Sequence, residues 1–254
     1  MGLEQCLNRC SFEINMKKLL SIVVLIGTLF SSAVYAQTRI ALISQVKGAS
    51  ASTDIAIQKY LQSKGYQVEV LDQSVSPNSL KNTDLVIISS TVASKNLQSG
   101  WRQLPLPIMT WENDYLDDLA MTGKRINTDF GEVEKERYLW LVNAPHPLSA
   151  QLPAGTRNVY KAQAPMSWGK PGLGATIIET IYGQPEKVAI WGYEKGATMD
   201  YESLAPAKRL MFFLNNDTFT NLSDDGLKLF DASIQWLTHK SVSYTHLTLP
   251  TKLL

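Results

Sequence analysis

The apolar positions of the chain fall into short runs whose spacing predicts elements before any chemistry is considered. RIALIS (39–44) is β-branched and unbroken, which predicts a buried strand. A loop of small residues follows. DIAIQKYLQSKG (54–65) then sets Ile57, Tyr60 and Leu61 on one helical face, with Ser52 or Thr53 as the expected cap and Gly65 as the stop. QVEVLD (67–72), DLVIISS (84–90) and LPIMTWE (106–112) read as three more strands. Strand, helix, strand in this order predicts parallel pairing through helical crossovers. Apolar runs without strict alternation fit strands covered on both faces.

The pattern changes after Gly123. RYLWLVN (137–143), ATIIETIY (175–182) and KVAIWGYE (187–194) read as strands, with GQP (183–185) as a hairpin turn between the last two. This predicts an antiparallel insertion or edge. KRLMFFL (208–214) returns as a buried strand. The closing segment 223–240 reads as a helix capped by Ser223, with Asp224 and Asp225 at its positive end and Leu227, Phe230, Ile234 and Leu237 on the core face. One domain over 37–240 is expected, without internal repeats or a linker.

Composition alters the picture mainly at the two ends. From Met16, Lys17 and Lys18 precede the apolar run Leu19–Phe30 and the small-x-small site Val34-Tyr35-Ala36, so a cleaved secretory signal is expected over 16–36. The run is shorter than the roughly 20 residues that a membrane span needs. Residues 1–15 then read as an over-long gene start. They hold Cys6 and Cys10, both cysteines of the chain, so the expected mature protein has neither a disulfide nor a thiol nucleophile. Val242–Thr251 back-translates to a sequence resembling the transposon-end adapter of sequencing libraries. Residues 241–254 are therefore expected to be read-through, which removes His246 from any catalytic argument. A formal net charge of +1 without basic runs argues against nucleic-acid or anionic-membrane partners. The expected location is secreted or periplasmic, and the expected partner a small molecule or glycan.

Ligands of open parallel sheets bind outside the carboxyl ends of the strands. Three segments are expected to meet there: the loop 45–53, the SSTVAS stretch carrying Ser89 and Ser90, and WENDY (111–115). Two readings compete for the acids of the last segment. In one, Asn113 or Asp114 caps a short helix with Asp117 and Asp118 in its first turn. In the other, Glu112, which ends an apolar strand where a carboxylate is costly unless paired or solvated, looks into a cleft. His146, stiffened between Pro145 and Pro147, is either the acid–base partner of Glu112 or a loop histidine bonded to backbone. Trp111 and Trp168 offer flat faces to a sugar ring if they are not core, with Asp114 and Glu194 as further polar contacts. Glu112, Asp114 and His146 have only generic spacing for a metal, so no metal and no cofactor is assigned. There is no G-x-S-x-G elbow, P-loop, dinucleotide-binding glycine pattern or H-E-x-x-H.

Taken together, DLVIISS, PIMTWENDYLDDLAM, HPL, WGKP, YEKG, APAKRLMFF and GLKLFDASIQW resemble secreted bacterial domains related to the trehalose-utilisation (ThuA-like) proteins and, more distantly, to class I glutamine amidotransferases. The resemblance covers nearly all of 39–237. It implies an α/β fold, a flavodoxin-like three-layer sandwich with a mostly parallel central sheet and an antiparallel β extension. In the amidotransferase relatives, the turn after the counterpart of PIMTW carries a nucleophilic Cys paired with a later His. Here that turn carries Trp111-Glu112, so a thioester route has no nucleophile. The resemblance also implies an association with sugar metabolism. The resulting expectation is a carbohydrate-associated domain that binds a saccharide or polyol with Glu112, Asp114, His146, Trp111 and Trp168. The alternatives are a hydrolase or isomerase using Glu112 and His146, and a catalytically silent interaction domain.

Overall fold

The computed structural model describes residues 37–238. The expected over-long start, signal segment and adapter tail lie outside the described residues, as do Cys6, Cys10, His239 and His246.

Eleven strands form one sheet among the described residues. The first half of the chain supplies β1 (Arg39–Ser44), α1 (Ala51–Ser63), β2 (Gln67–Asp72), β3 (Leu85–Ile88) and β4 (Ile108–Thr110). There follow β5 (Phe130–Glu136), β6 (Tyr138–Leu141), β7 (Gly155–Asn158), β8 (Ala164–Gly169), β9 (Thr176–Ile181) and β10 (Gln184–Tyr193). The chain closes with β11 (Arg209–Met211) and α2 (Asp224–Thr238). The strand order is β2-β1-β3-β4-β11-β10-β9-β6-β7, with β8 pairing β10 and β5 off this path.

This is an α/β fold on a mixed sheet, and the expected mostly parallel sheet is corrected. Four ladders are parallel and six antiparallel. The cause is the segment between β4 and β11. These two strands pair directly, yet β5 to β10 all lie between them in sequence, and short returns fold that segment back on itself. The tightest return is the two-residue turn Tyr182-Gly183, where Gly183 has φ +72°, a conformation a side chain would oppose. It falls one residue earlier than the expected GQP turn.

Strand alternation sends side chains into two separate cores. Ile40, Leu42, Ile87, Met109 and Leu210 pack with Ile57 and Leu61 of α1 and with Phe230, Ile234 and Leu237 of α2. Ala41, Ile43, Val86, Ile88 and Ile108 pack instead under Trp101, Leu104, Leu116 and Leu119. Both helices thus cover one face. Among the described residues the other face carries no α-helix. Its cover runs through 3-10 turns and coil, where Gly100, Pro105 and Pro107 break helical continuity. The short helix expected after Asn113 is accordingly a single 3-10 turn, Asn113–Tyr115. Asp117 and Asp118 lie in irregular turns beyond it, and Ala120 is left-handed at φ +58°.

The caps divide. Ser223 caps α2 as expected: its Oγ accepts the Gly226 N–H at 3.2 Å and donates to the Asn158 carbonyl at 2.6 Å. Neither Ser52 nor Thr53 caps α1, which starts earlier, at Ala51. The Thr53 hydroxyl reaches Asp217 instead, at 3.4 Å.

One buried cation organises the approach to β4. Arg209 is fully buried, and its guanidinium donates to the carbonyls of Leu104 (2.7 Å), Leu106 (2.9 Å), Lys208 (3.1 Å), Arg102 (3.3 Å) and Ala207 (3.3 Å). Burial holds its pKa down to about 10. The fork ties the loop ahead of β4 to β11, and so fixes where β4 begins and where it delivers Glu112.

Candidate functional site

Beyond β4 the chain stays extended for two residues. The Trp111 N–H bonds the Ile88 carbonyl (3.4 Å), and the Thr110 hydroxyl accepts the Glu112 N–H (3.0 Å). Alternation from Met109 sends Trp111 into the helix-side core, where its ring lies 6.4 Å from Phe230. Glu112 turns the other way and borders a cleft of about 340 Å³ at the carboxyl ends of β3 and β4. Ser90, Ser94, Lys95, Asn113, Asp114, Glu132 and Asn216 supply its polar lining.

The antiparallel extension builds one wall. Asn113 Nδ2 donates to Glu132 Oε1 of β5 (2.9 Å) and to Ser167 Oγ of β8 (3.3 Å), so the β5–β8 pair is clamped over the 3-10 turn. Glu112 itself is 7% exposed. Burial, reinforced by the negative charges of Asp114 and Glu132, pushes its carboxyl up to about 8, against the pull of the Asp114 backbone N–H. At neutral pH it is therefore a neutral acid, able to donate as well as accept a hydrogen bond.

A second polar layer lies behind. The Thr91 hydroxyl donates to Asp54 Oδ2 of α1 at 2.7 Å and contacts Ser89 Oγ at 3.2 Å. Burial raises the Asp54 pKa, partly offset by these hydroxyl contacts. The Ser90 Oγ is buried with no hydrogen-bond partner among the described residues.

The expected site residues therefore separate. Ser90, Glu112 and Asp114 share the cleft, and Ser89 stands behind it. Trp111 and Trp168 are core, at 1% and 3% exposure, so neither offers a free face to a ligand. Pleat direction is the reason: each ring lies on the inward side of its strand.

The expected Glu112–His146 pair is not formed. His146 Nδ1 accepts the Leu148 N–H at 3.2 Å, and its ring lies 6.1 Å from Trp236. The Trp236 carbonyl accepts from Lys208, which also sits 3.9 Å from Glu194. Lys208 precedes β11 at its amino end, whereas Glu112 follows β4 at its carboxyl end. These strands are parallel neighbours, so His146 and Glu194 belong to the opposite edge of the sheet. Burial lowers the His146 pKa, with Glu194 and Lys208 acting in opposite senses.

Lys95, Glu132 and Asn216 were not among the expected site residues. Glu132 lies on β5, where FGEVEKE (130–136) shows no regular two-residue alternation and so carries no local signal for it. Among the described residues no three acidic, histidine or cysteine side chains converge as a metal site, and no helix is long and apolar enough to cross a membrane.

The molecule is thus an α/β protein with a polar, acid-lined cleft at the carboxyl edge of its parallel strands. No family model matches the chain, and no curated protein does. Among solved structures it is similar to a Thermoplasma acidophilum protein provisionally assigned as a GMP synthase subunit. The TM-score is 0.45 and the identity 10%, over 79% of this chain and 94% of that one.

Proposed function

We propose that the cleft binds a hydroxyl-rich small molecule, a saccharide or polyol, in a ThuA-like domain whose flavodoxin-like core carries no catalytic thiol. The observation that carries this reading is the buried carboxyl of Glu112, whose pKa burial raises, beside Asp114, Glu132, Asn113 and Asn216. A sugar hydroxyl both donates and accepts. A site that pairs one protonated carboxyl with carboxylate and amide acceptors meets both needs at neighbouring positions. With Trp111 and Trp168 in the core, binding rests on hydrogen bonds rather than on stacking. The turn that carries a nucleophilic Cys in class I glutamine amidotransferases carries Glu112 here, which favours binding over thioester chemistry. The signal-like pattern at 16–36 supports export to the periplasm or beyond.

Calorimetry against hexoses, disaccharides and alditols tests the proposal. Binding is expected at pH 6, weakening as pH rises through about 8 and Glu112 ionises. It should drop sharply in Glu112→Ala and Asn113→Ala. A folded protein that binds no member of the panel, or binds equally well in both variants, overturns it.

A further inference from the structure

The outer face of the antiparallel extension carries exposed aromatic rings that no part of the cleft uses. On β6, Tyr138 and Trp140 point outward and alternate with the fully buried Leu139 and Leu141. Tyr182 stands across from Tyr138 at the end of β9, its N–H bonding the Tyr138 carbonyl at 3.3 Å. The three rings are 36%, 45% and 48% exposed for Tyr138, Trp140 and Tyr182. The Tyr182 centroid lies 6.3 Å from Tyr138 and 6.5 Å from Trp140, with tilts of 60° and 41°. Trp140 and Tyr182 border a trough of about 360 Å³, floored by Thr180 and Ile181 and closed by Gly183 and Pro185.

Cross-strand register sets uncharged polar residues opposite Trp140 and Tyr138, because directly opposed residues share a face. Trp140 is opposed by Thr156 of β7 on one side and Thr180 of β9 on the other. Tyr138 is opposed by Asn158, whose Oδ1 accepts the Arg137 Nε–H at 3.2 Å. The Arg137 guanidinium also lies over the Tyr138 ring, 5.2 Å from its centroid.

We propose that this face is a glycan-binding platform, separate from the Glu112 cleft, on which Trp140 and Tyr182 stack the apolar faces of pyranose rings. Thr156 and Asn158, both exposed, would meet the hydroxyl edges. The chemistry of the lining selects the ligand. Among the described residues no charged side chain borders the trough, and the Arg137 guanidinium at the neighbouring end of the face is engaged by Asn158 and the Tyr138 ring. Rings tilted against each other form the walls of a groove for something narrow, and the flanking hydroxyl and amide groups suit a ligand that is apolar on its faces and polar at its rim. The platform stands whatever the cleft binds, because the two sites share no residue.

The test uses the full chain and four named probes: cellohexaose, xylohexaose, chitohexaose and maltohexaose, titrated by calorimetry and by tryptophan fluorescence. At least one is expected to bind. Trp140→Ala and Tyr182→Ala should each weaken that binding about tenfold or more. Trp140→Phe should retain part of it. Because both aromatic side chains are about half exposed, their removal should leave the thermal midpoint near that of the parent, and the variants remain interpretable. Binding of none of the four, or affinity indifferent to both aromatic substitutions, overturns the platform. So does a sedimenting dimer that Trp140→Ala converts to monomer while no hexasaccharide binds, because the face would then be covered by a second copy.

Discussion

Replacing Glu112 with Gln keeps the volume and hydrogen-bonding reach of the side chain but removes its ionisation. In the folded protein this carboxyl sits at about 8, against an ordinary 4.5. Between those values the folded state holds a proton that the unfolded state has lost, so stability falls as pH rises from about 5 to 9. At 1.36 kcal/mol per pH unit, the stabilisation lost over that interval is on the order of 3 to 4 kcal/mol for this one group. Glu179 behaves alike: it is fully buried in β9, burial raises it to about 8, and the charge of Arg157 only partly opposes this. Urea unfolding followed by tryptophan fluorescence at pH 5, 7 and 9 should show a steep decline in the parent chain. Glu112→Gln should remove roughly half of it, and Glu112→Gln with Glu179→Gln most of it. Carbon NMR of the Glu112 carboxyl provides an independent reading. A titration midpoint near 4.5, or an unchanged pH slope in Glu112→Gln, would refute the burial argument and remove the neutral donor from the cleft.

Three other outcomes follow from packing. Arg209→Met strips donors from five backbone carbonyls and should cost about 3 kcal/mol or more, seen as a lower urea midpoint. Trp111→Ala opens a cavity against Phe230 and should cost about 3 to 5 kcal/mol in unfolding experiments; cleft binding per folded molecule should hardly change. Ser223→Ala removes the α2 cap and its bond to β7, and should cost about 1 kcal/mol by thermal unfolding.

Elements with a local apolar pattern are the legible ones. RIALIS and QVEVLD coincide with β1 and β2, and Ser223 caps the closing helix, because each of these signals is local. The strands without such a signal, β5, β7 and β8, are held by partners far away in sequence. GTRN in β7 has no large apolar residue at all, and β5 exposes much of its length. At the site, the position of Glu112 at the end of an apolar strand can be read, but the stacking role expected of its neighbour fails. Counting by twos from Met109 puts Trp111 on the inward face with it. Glu132 reaches the cleft only through the β5–β8 pairing. His146 and Glu112 suit each other as residue types, yet the direction of the parallel strands sets them at opposite edges.

The direct pairing of β4 with β11 has a kinetic consequence. Ile108 and Arg209 are register partners although about 100 residues separate them, and contacts of such long range are slow to form. Until β11 arrives, β4 is an unprotected apolar edge, able to recruit a strand from another chain. During refolding, the intervening antiparallel segment is therefore expected to organise first, with aggregation competing at the step that inserts β11.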